Sequence, residues 1–237
     1  MKKAFTLAEI LITLAIIGVV AAMTIPTLIQ NYRLKVLKTR YTQTYAILSE
    51  AVIKTRMELG ENLLENCFKN GAIYYPFSDK FKETFLKNCN YLQKTAKDYT
   101  ITNFNNTKSY STANYRPGGD YPTPLYMLKN GTSVDVGVNG NTIRVYADTN
   151  GPNSGPNRLG YDIFRFSVTN DMLKPTKMYA KYTSEEELED VQFSHVEGWP
   201  CTKDSPQILN GIGCSWYATN DRNPDDETQK YWDSLKF

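Results

Sequence analysis

The chain has 237 residues, 41% of them hydrophobic and 22% charged, enough to bury the core of one or two domains. Lys and Arg number 27 against 25 Asp and Glu, a net charge of +2, which argues against a strongly basic nucleic-acid domain and against an acidic tail. A single His leaves little room for His-based catalysis, and four Cys without a Cys-x-x-Cys pair fit two disulfides outside the cytoplasm better than zinc or redox chemistry.

The N-terminus is the most informative stretch. Lys2 and Lys3 precede an apolar run, and from Ile10 to Tyr32 no residue is charged. At ~1.5 Å per residue this run makes about 35 Å of helix, enough to cross a bilayer. A secretory signal peptide is the plain alternative, with Val20 and Ala22 as its small residues. Against it, Arg33 opens a polar helical pattern with no breaker between it and the apolar run. Glu9 adds a carboxylate at the edge of the span, which costs roughly 2–3 kcal/mol on insertion scales.

Lys2-Lys3-Ala4, then Phe5-Thr6-Leu7-Ala8-Glu9 and the apolar run, resemble the prepilin leader of type IV pilins and type II secretion pseudopilins. The resemblance implies cleavage between Ala4 and Phe5, N-methylation of Phe5, and an assembly role for Glu9. Ala4 departs from the family, which usually has Gly there; Ala is small enough to leave the cut plausible. Pro26 falls where many pilins carry a helix-kinking proline. Loss of Lys2 and Lys3 balances the charge at 25 basic and 25 acidic residues, so subunits can polymerise without strong self-repulsion.

Leu37, Tyr41, Tyr45, Leu48 and Val52 share one helical face, so the helix is expected to run from Phe5 to Leu59 and to stop at Gly60. Pro26 should bend or loosen it; two helices broken at Pro26 are the alternative. Ser78 to Lys97 reads as a second helix, with Phe81, Phe85, Cys89 and Leu92 on one face and Ser78 as a cap. Residues 98 to 124 read as a polar connection with a turn at Arg116–Asp120. Leu125–Lys129, Thr132–Val138 and Thr142–Ala147 read as strands joined by Asn130-Gly131 and Asn139-Gly140. Asp162–Val168 reads as a fourth strand and Met178–Tyr182 as another. Ser184–Glu187 has a capping-box pattern, and the acidic run Glu185–Asp190 reads as a solvated helix face.

Four Cys allow three pairings; the local arrangement is Cys67–Cys89 and Cys201–Cys214. Asp148, Asn150, Asn157 and Asp162, with loop carbonyls, supply oxygen ligands suited to Ca²⁺, and the segment looks like a loop of pseudopilin-like proteins, some of which bind calcium. The same residues also make ordinary turns. It is not an EF-hand, because Leu159 stands where the bidentate Glu belongs. His195 has no triad context, and no G-x-S-x-G, P-loop or H-E-x-x-H occurs.

The expected fold is α+β: a long N-terminal helix packed on an antiparallel sheet of about four strands. The expected divisions are a leader at 1–4, a membrane and filament-core half-helix at 5–32, an amphipathic half at 33–60, and a globular domain at 61–237. The resemblance implies a structural, non-enzymatic subunit of a pilus-like or secretion pseudopilus filament. It implies a single-pass precursor in the bacterial cytoplasmic membrane, with the C-terminal domain outside and a later periplasmic or surface filament. Its partners would be other subunits, the prepilin peptidase and methylase, the assembly platform and ATPase, and membrane lipid. No cofactor beyond calcium is expected. A minor tip pilin binding DNA, a glycan or a surface is the alternative.

Overall fold

The computed structural model describes residues 6–67, 79–95, 98–115, 121–139, 142–177 and 200–237. Ala4, Phe5, the Ser78 cap, the 116–120 turn, the Met178–Tyr182 strand, the Ser184–Glu187 box and His195 lie outside them.

Helix α1 runs unbroken from Leu7 to Leu59, so the two-helix alternative is not realised. Thr6 caps its start, and Gly60 ends it at φ 89°, where a side chain would be strained. Pro26 lies inside the helix, and its ring nitrogen cannot donate to the carbonyl one turn back. The two halves of α1 differ in burial. Among the described residues none of 7–32 is buried, whereas Leu34, Leu37, Tyr41, Thr44, Leu48, Ala51, Val52 and Thr55 are buried at spacings of three and four.

That second half lies on a six-stranded antiparallel sheet ordered β1-β4-β5-β6-β7-β8. The strands are β1 Tyr91–Lys94, β4 Tyr126–Leu128, β5 Ser133–Asn139, β6 Thr142–Asp148, β7 Ile163–Thr169 and β8 Met172–Pro175. Two cross-strand rows face the helix, Val134–Ala147–Phe164 and Val136–Val145–Phe166. Tyr41 packs edge-on to Phe164 with ring centroids 4.5 Å apart, and Tyr45 stacks on Phe166 at 5.5 Å. Fully burying a side chain of this size contributes roughly 1.5–3 kcal/mol, so these rows anchor the lower half of α1.

The other face of the sheet is also covered. Within the segment 98–124, expected as a polar connection, residues 100–111 form a small hairpin of β2 Thr100–Thr102 and β3 Ser109–Ser111. Ile101 and Tyr110 enter a second apolar cluster with Tyr146, Leu159, Ile163, Leu209 and Ile212. One inward apolar residue per strand suffices for a strand that is half solvated, which is why composition hid it.

Three other expectations are corrected. Helix α2 covers only Asp79–Asn88; Asn90 takes φ 57° and turns the chain into β1, leaving Leu92 exposed. The sheet has six strands where about four were expected, because β1 and β8 are short edge strands. Cys201 and Cys214 form a disulfide, but Cys67 and Cys89 are separate buried thiols. Cys67 Sγ donates to the Leu63 carbonyl at 3.2 Å, and both pack in the main core as small apolar side chains. The C-terminus closes the molecule with short helices α3 Ser215–Asn220 and α4 Tyr231–Ser234, and Trp232 donates its indole N–H to the Ala218 carbonyl at 3.0 Å.

Candidate functional site

Two regions carry more than fold-building chemistry. The first is the start of α1. Leu7, Leu11, Ile12, Leu14, Ile16, Ile17 and the apolar residues beyond are exposed all round the helix, and the stretch is long and apolar enough to cross a membrane. A helix apolar on every face must be covered by lipid or by other helices. Glu9 sits in its first turn in a reciprocal capping box. The Glu9 Oε2 accepts from the Thr6 backbone N–H at 2.8 Å and from Thr6 Oγ1 at 2.8 Å, while the Glu9 N–H donates to Thr6 Oγ1 at 3.3 Å. The carboxylate is therefore satisfied within its own chain. Thr6 was not singled out by the sequence reading, although Thr-x-x-Glu before an apolar run is the capping-box signature.

The second region is the loop joining β6 to β7, bounded by the paired residues Asp148 and Ile163. All four oxygen-bearing residues expected there come together. Asp148 Oδ1 accepts from the Gly151 N–H at 2.8 Å and the Asn150 N–H at 3.3 Å. Asp162 accepts from the Asn157 and Arg158 N–H groups at 2.8 and 2.7 Å. Asn150 Nδ2 donates to the Ser154 and Gly155 carbonyls at 2.5 and 3.2 Å, and Asn157 Nδ2 to the Pro152 carbonyl at 3.1 Å. Those carbonyl partners fix which way each amide points. Gly151 is required: it takes φ 79°, and a Cβ would stand 2.5 Å from the Gly131 carbonyl oxygen.

These bonds leave two buried amide oxygens, Asn150 Oδ1 and Asn157 Oδ1, without a hydrogen-bond partner, while the buried Tyr99 hydroxyl faces Asp148. Both carboxylates are fully buried. Burial pushes the Asp162 carboxyl up to about 7. Burial, and next the Asp162 charge, push Asp148 well above the usual carboxylate range. The amide of Asn150 also reaches Asp162, so residues 148, 150 and 162 face one another. Orphaned acceptors beside two buried carboxylates are the surroundings that a hard cation with oxygen ligands satisfies. The set rests on two carboxylates and two amides; among the described residues no group of three or more His, Cys, Asp or Glu gathers.

The loop is locked by its neighbours. Arg158 Nε donates to the Phe104 carbonyl at 2.9 Å, and its guanidinium lies 4.0 Å over the Tyr161 ring. Tyr231 donates its hydroxyl to the Gly160 carbonyl. Gly160 takes φ 77°, and a Cβ there would meet Phe104 Cδ2 at 2.6 Å and Cys214 Sγ at 2.9 Å. The disulfide region and the β2–β3 hairpin therefore both brace the loop from outside.

Neither the curated proteins nor the solved structures give a match to the chain. A long helix laid on an antiparallel sheet is a pilin-like α+β architecture, and its exposed N-terminal half fits a single-pass membrane anchor. One family model matches, the prokaryotic N-terminal methylation motif, over residues 1–25. The chain thus opens with the leader of type IV pilins and pseudopilins.

Proposed function

We propose that the chain is the precursor of a filament subunit, of a type IV pilus or a type II secretion pseudopilus, and acts structurally. The observation that carries this reading is the split in α1: a half that the chain's own fold leaves bare, continuous with a half that is the spine of the domain. In the membrane, lipid covers the bare half. After a peptidase removes residues 1–4 and Phe5 is methylated, the same half packs against other copies, burying apolar surface at ~25 cal/mol per Å². The platform and ATPase supply the work of extraction. Glu9, held by Thr6 in the single subunit, meets the Phe5 amine of a neighbour in the filament, because an unpaired carboxylate in apolar surroundings is costly.

The test is the sheared surface or periplasmic fraction of cells expressing the chain with its machinery. Mature protein beginning at N-methylated Phe5, in filaments lost on Glu9→Ala, is expected. A mature start at Met23 refutes the reading.

The β6–β7 loop holds a calcium ion in this reading, with Asp148, Asn150, Asn157 and Asp162 as ligands. Calcium supplies a divalent charge that offsets the paired carboxylates. The chain's own part is to hold the four oxygens in place through the backbone N–H groups of residues 150, 151, 157 and 158. What supports it is the orphaned amide oxygens of Asn150 and Asn157 beside two buried carboxylates. Isothermal titration with CaCl₂, compared with Asp148→Asn/Asp162→Asn, tests it; heats absent from both refute it.

A further inference from the structure

Where the bare half of α1 meets the domain, a groove of ≈ 520 Å³ opens between the helix and the tip of the β6–β7 loop. Tyr32, Arg33, Val36 and Arg40 form the helix wall, with Leu37 at its floor; Ser154–Pro156 and Phe237 face them. Arg33 and Arg40 are seven residues apart, two turns or about 10.5 Å of rise, on one side of the helix, and both line the groove. Arg33 lies 5.8 Å over the Phe237 ring, and Arg40 Nη1 donates to the Asn130 carbonyl at 3.2 Å. Of five N–H donors on each guanidinium, most are unspent. The ion pairs of the described residues are Lys38–Asp221, Lys54–Glu50 and Lys87–Glu58; neither arginine belongs to one, and no Asp or Glu side chain is among the described residues lining the groove.

We propose that in the unassembled subunit this groove holds the phosphate of an anionic phospholipid, clasped between Arg33 and Arg40. The inference rests on the membrane-anchored reading above. Its source is the bilayer because the groove begins where the apolar stretch ends. Tyr32 and Phe237, 69% and 49% exposed, flank it as interfacial aromatics do at the headgroup level. Planar guanidinium forks match phosphate oxygens in pairs. Arg33, Lys35, Lys38 and Arg40 crowd the flank that the proposed orientation places outside the cytoplasm, against the usual bias of basic residues to the cytoplasmic side. Of these four only Lys38 pairs with a carboxylate among the described residues, and a headgroup phosphate compensates the two that line the groove. The clasp would hold the domain close to the bilayer until other copies displace the lipid.

The test is native mass spectrometry of the full chain, extracted in mild detergent from membranes containing phosphatidylglycerol. Carbonate-resistant membrane retention is checked first; a chain released by carbonate overturns the anchored reading and this inference together. With the chain retained, one phosphatidylglycerol per subunit is expected. Arg33→Gln/Arg40→Gln should lower its occupancy about thirtyfold, from roughly fivefold for each charge. Lys35→Gln, a charge at the same level outside the groove, should keep the lipid, and unchanged thermal melting of the double variant shows that its fold is intact. Equal retention in the double variant, or displacement of the lipid by millimolar inorganic phosphate, overturns the proposal while leaving the anchored reading standing.

Discussion

The paired carboxylates of the β6–β7 loop make a sharp test of how the loop is satisfied. Asp162 is fully buried with its carboxyl raised to about 7, against ~3.9 in an unfolded chain. Between those values the folded state holds a proton that the unfolded state has released, so stability falls as pH rises from about 4 to about 7. Three units at 1.36 kcal/mol each amount to about 4 kcal/mol. Asp162→Asn keeps the shape and cannot ionise. Its loss of one acceptor for a backbone N–H costs roughly 1 kcal/mol at all pH values, and it also relieves Asp148 of a neighbouring charge. The assay is thermal unfolding of residues 33–237, a truncation that removes no buried side chain among the described residues, at pH 4, 6 and 8 with EDTA. The native chain should lose about 4 kcal/mol more than Asp162→Asn between pH 4 and 8, about 8–16 °C in Tm for a domain of this size. Calcium at 100 times its Kd adds ~2.7 kcal/mol to the native chain and should flatten its upper pH range, because the cation replaces the proton as counter-charge. Equal pH slopes with and without Asp162, in EDTA, would refute the reasoning about burial. A slope present but unmoved by millimolar calcium would refute the cation site alone.

The other predictions concern assembly, thiols and backbone. Glu9→Ala and Glu9→Gln should still insert and be cleaved, with monomers accumulating in the membrane and filament yield falling; normal yield from Glu9→Ala, by quantitative immunoblot of sheared filaments, removes the carboxylate from the packing mechanism. Thiol titration should count two free cysteines per chain in denaturant and none in the native protein, since Cys67 and Cys89 are buried; four or zero thiols after denaturation contradicts the pairing. Cys201→Ala/Cys214→Ala should cost roughly 3 kcal/mol, read from urea midpoints, because the bridge closes a 13-residue separation. Gly160→Ala should destabilise more than a surface change, by about 2 kcal/mol or more, because it combines positive φ with contacts under 3.0 Å; a melting point within 1–2 °C of the native chain, as surface changes give, would mean the loop yields there.

What the sequence by itself determined was whatever rests on local repetition. The bare and amphipathic halves of α1 follow from where charges begin at Arg33 and from the three-and-four spacing of Leu37, Tyr41 and Leu48. The central strands follow from β-branched runs broken at Asn130-Gly131 and Asn139-Gly140. The oxygen-rich loop was legible as a set of residue types. Tertiary structure decided everything that depends on what a residue meets. Ile101 and Tyr110 made a polar segment into a sheet cover because the second face of the sheet needed one. Cys67 and Cys89 stay separate thiols, packed as small apolar side chains in the main core. Asp148 and Asp162 lie fourteen positions apart in a numbering that says nothing of burial. The hairpin closed by β6 and β7 set them together in the interior, and that burial is what leaves their loop with oxygens still to be satisfied.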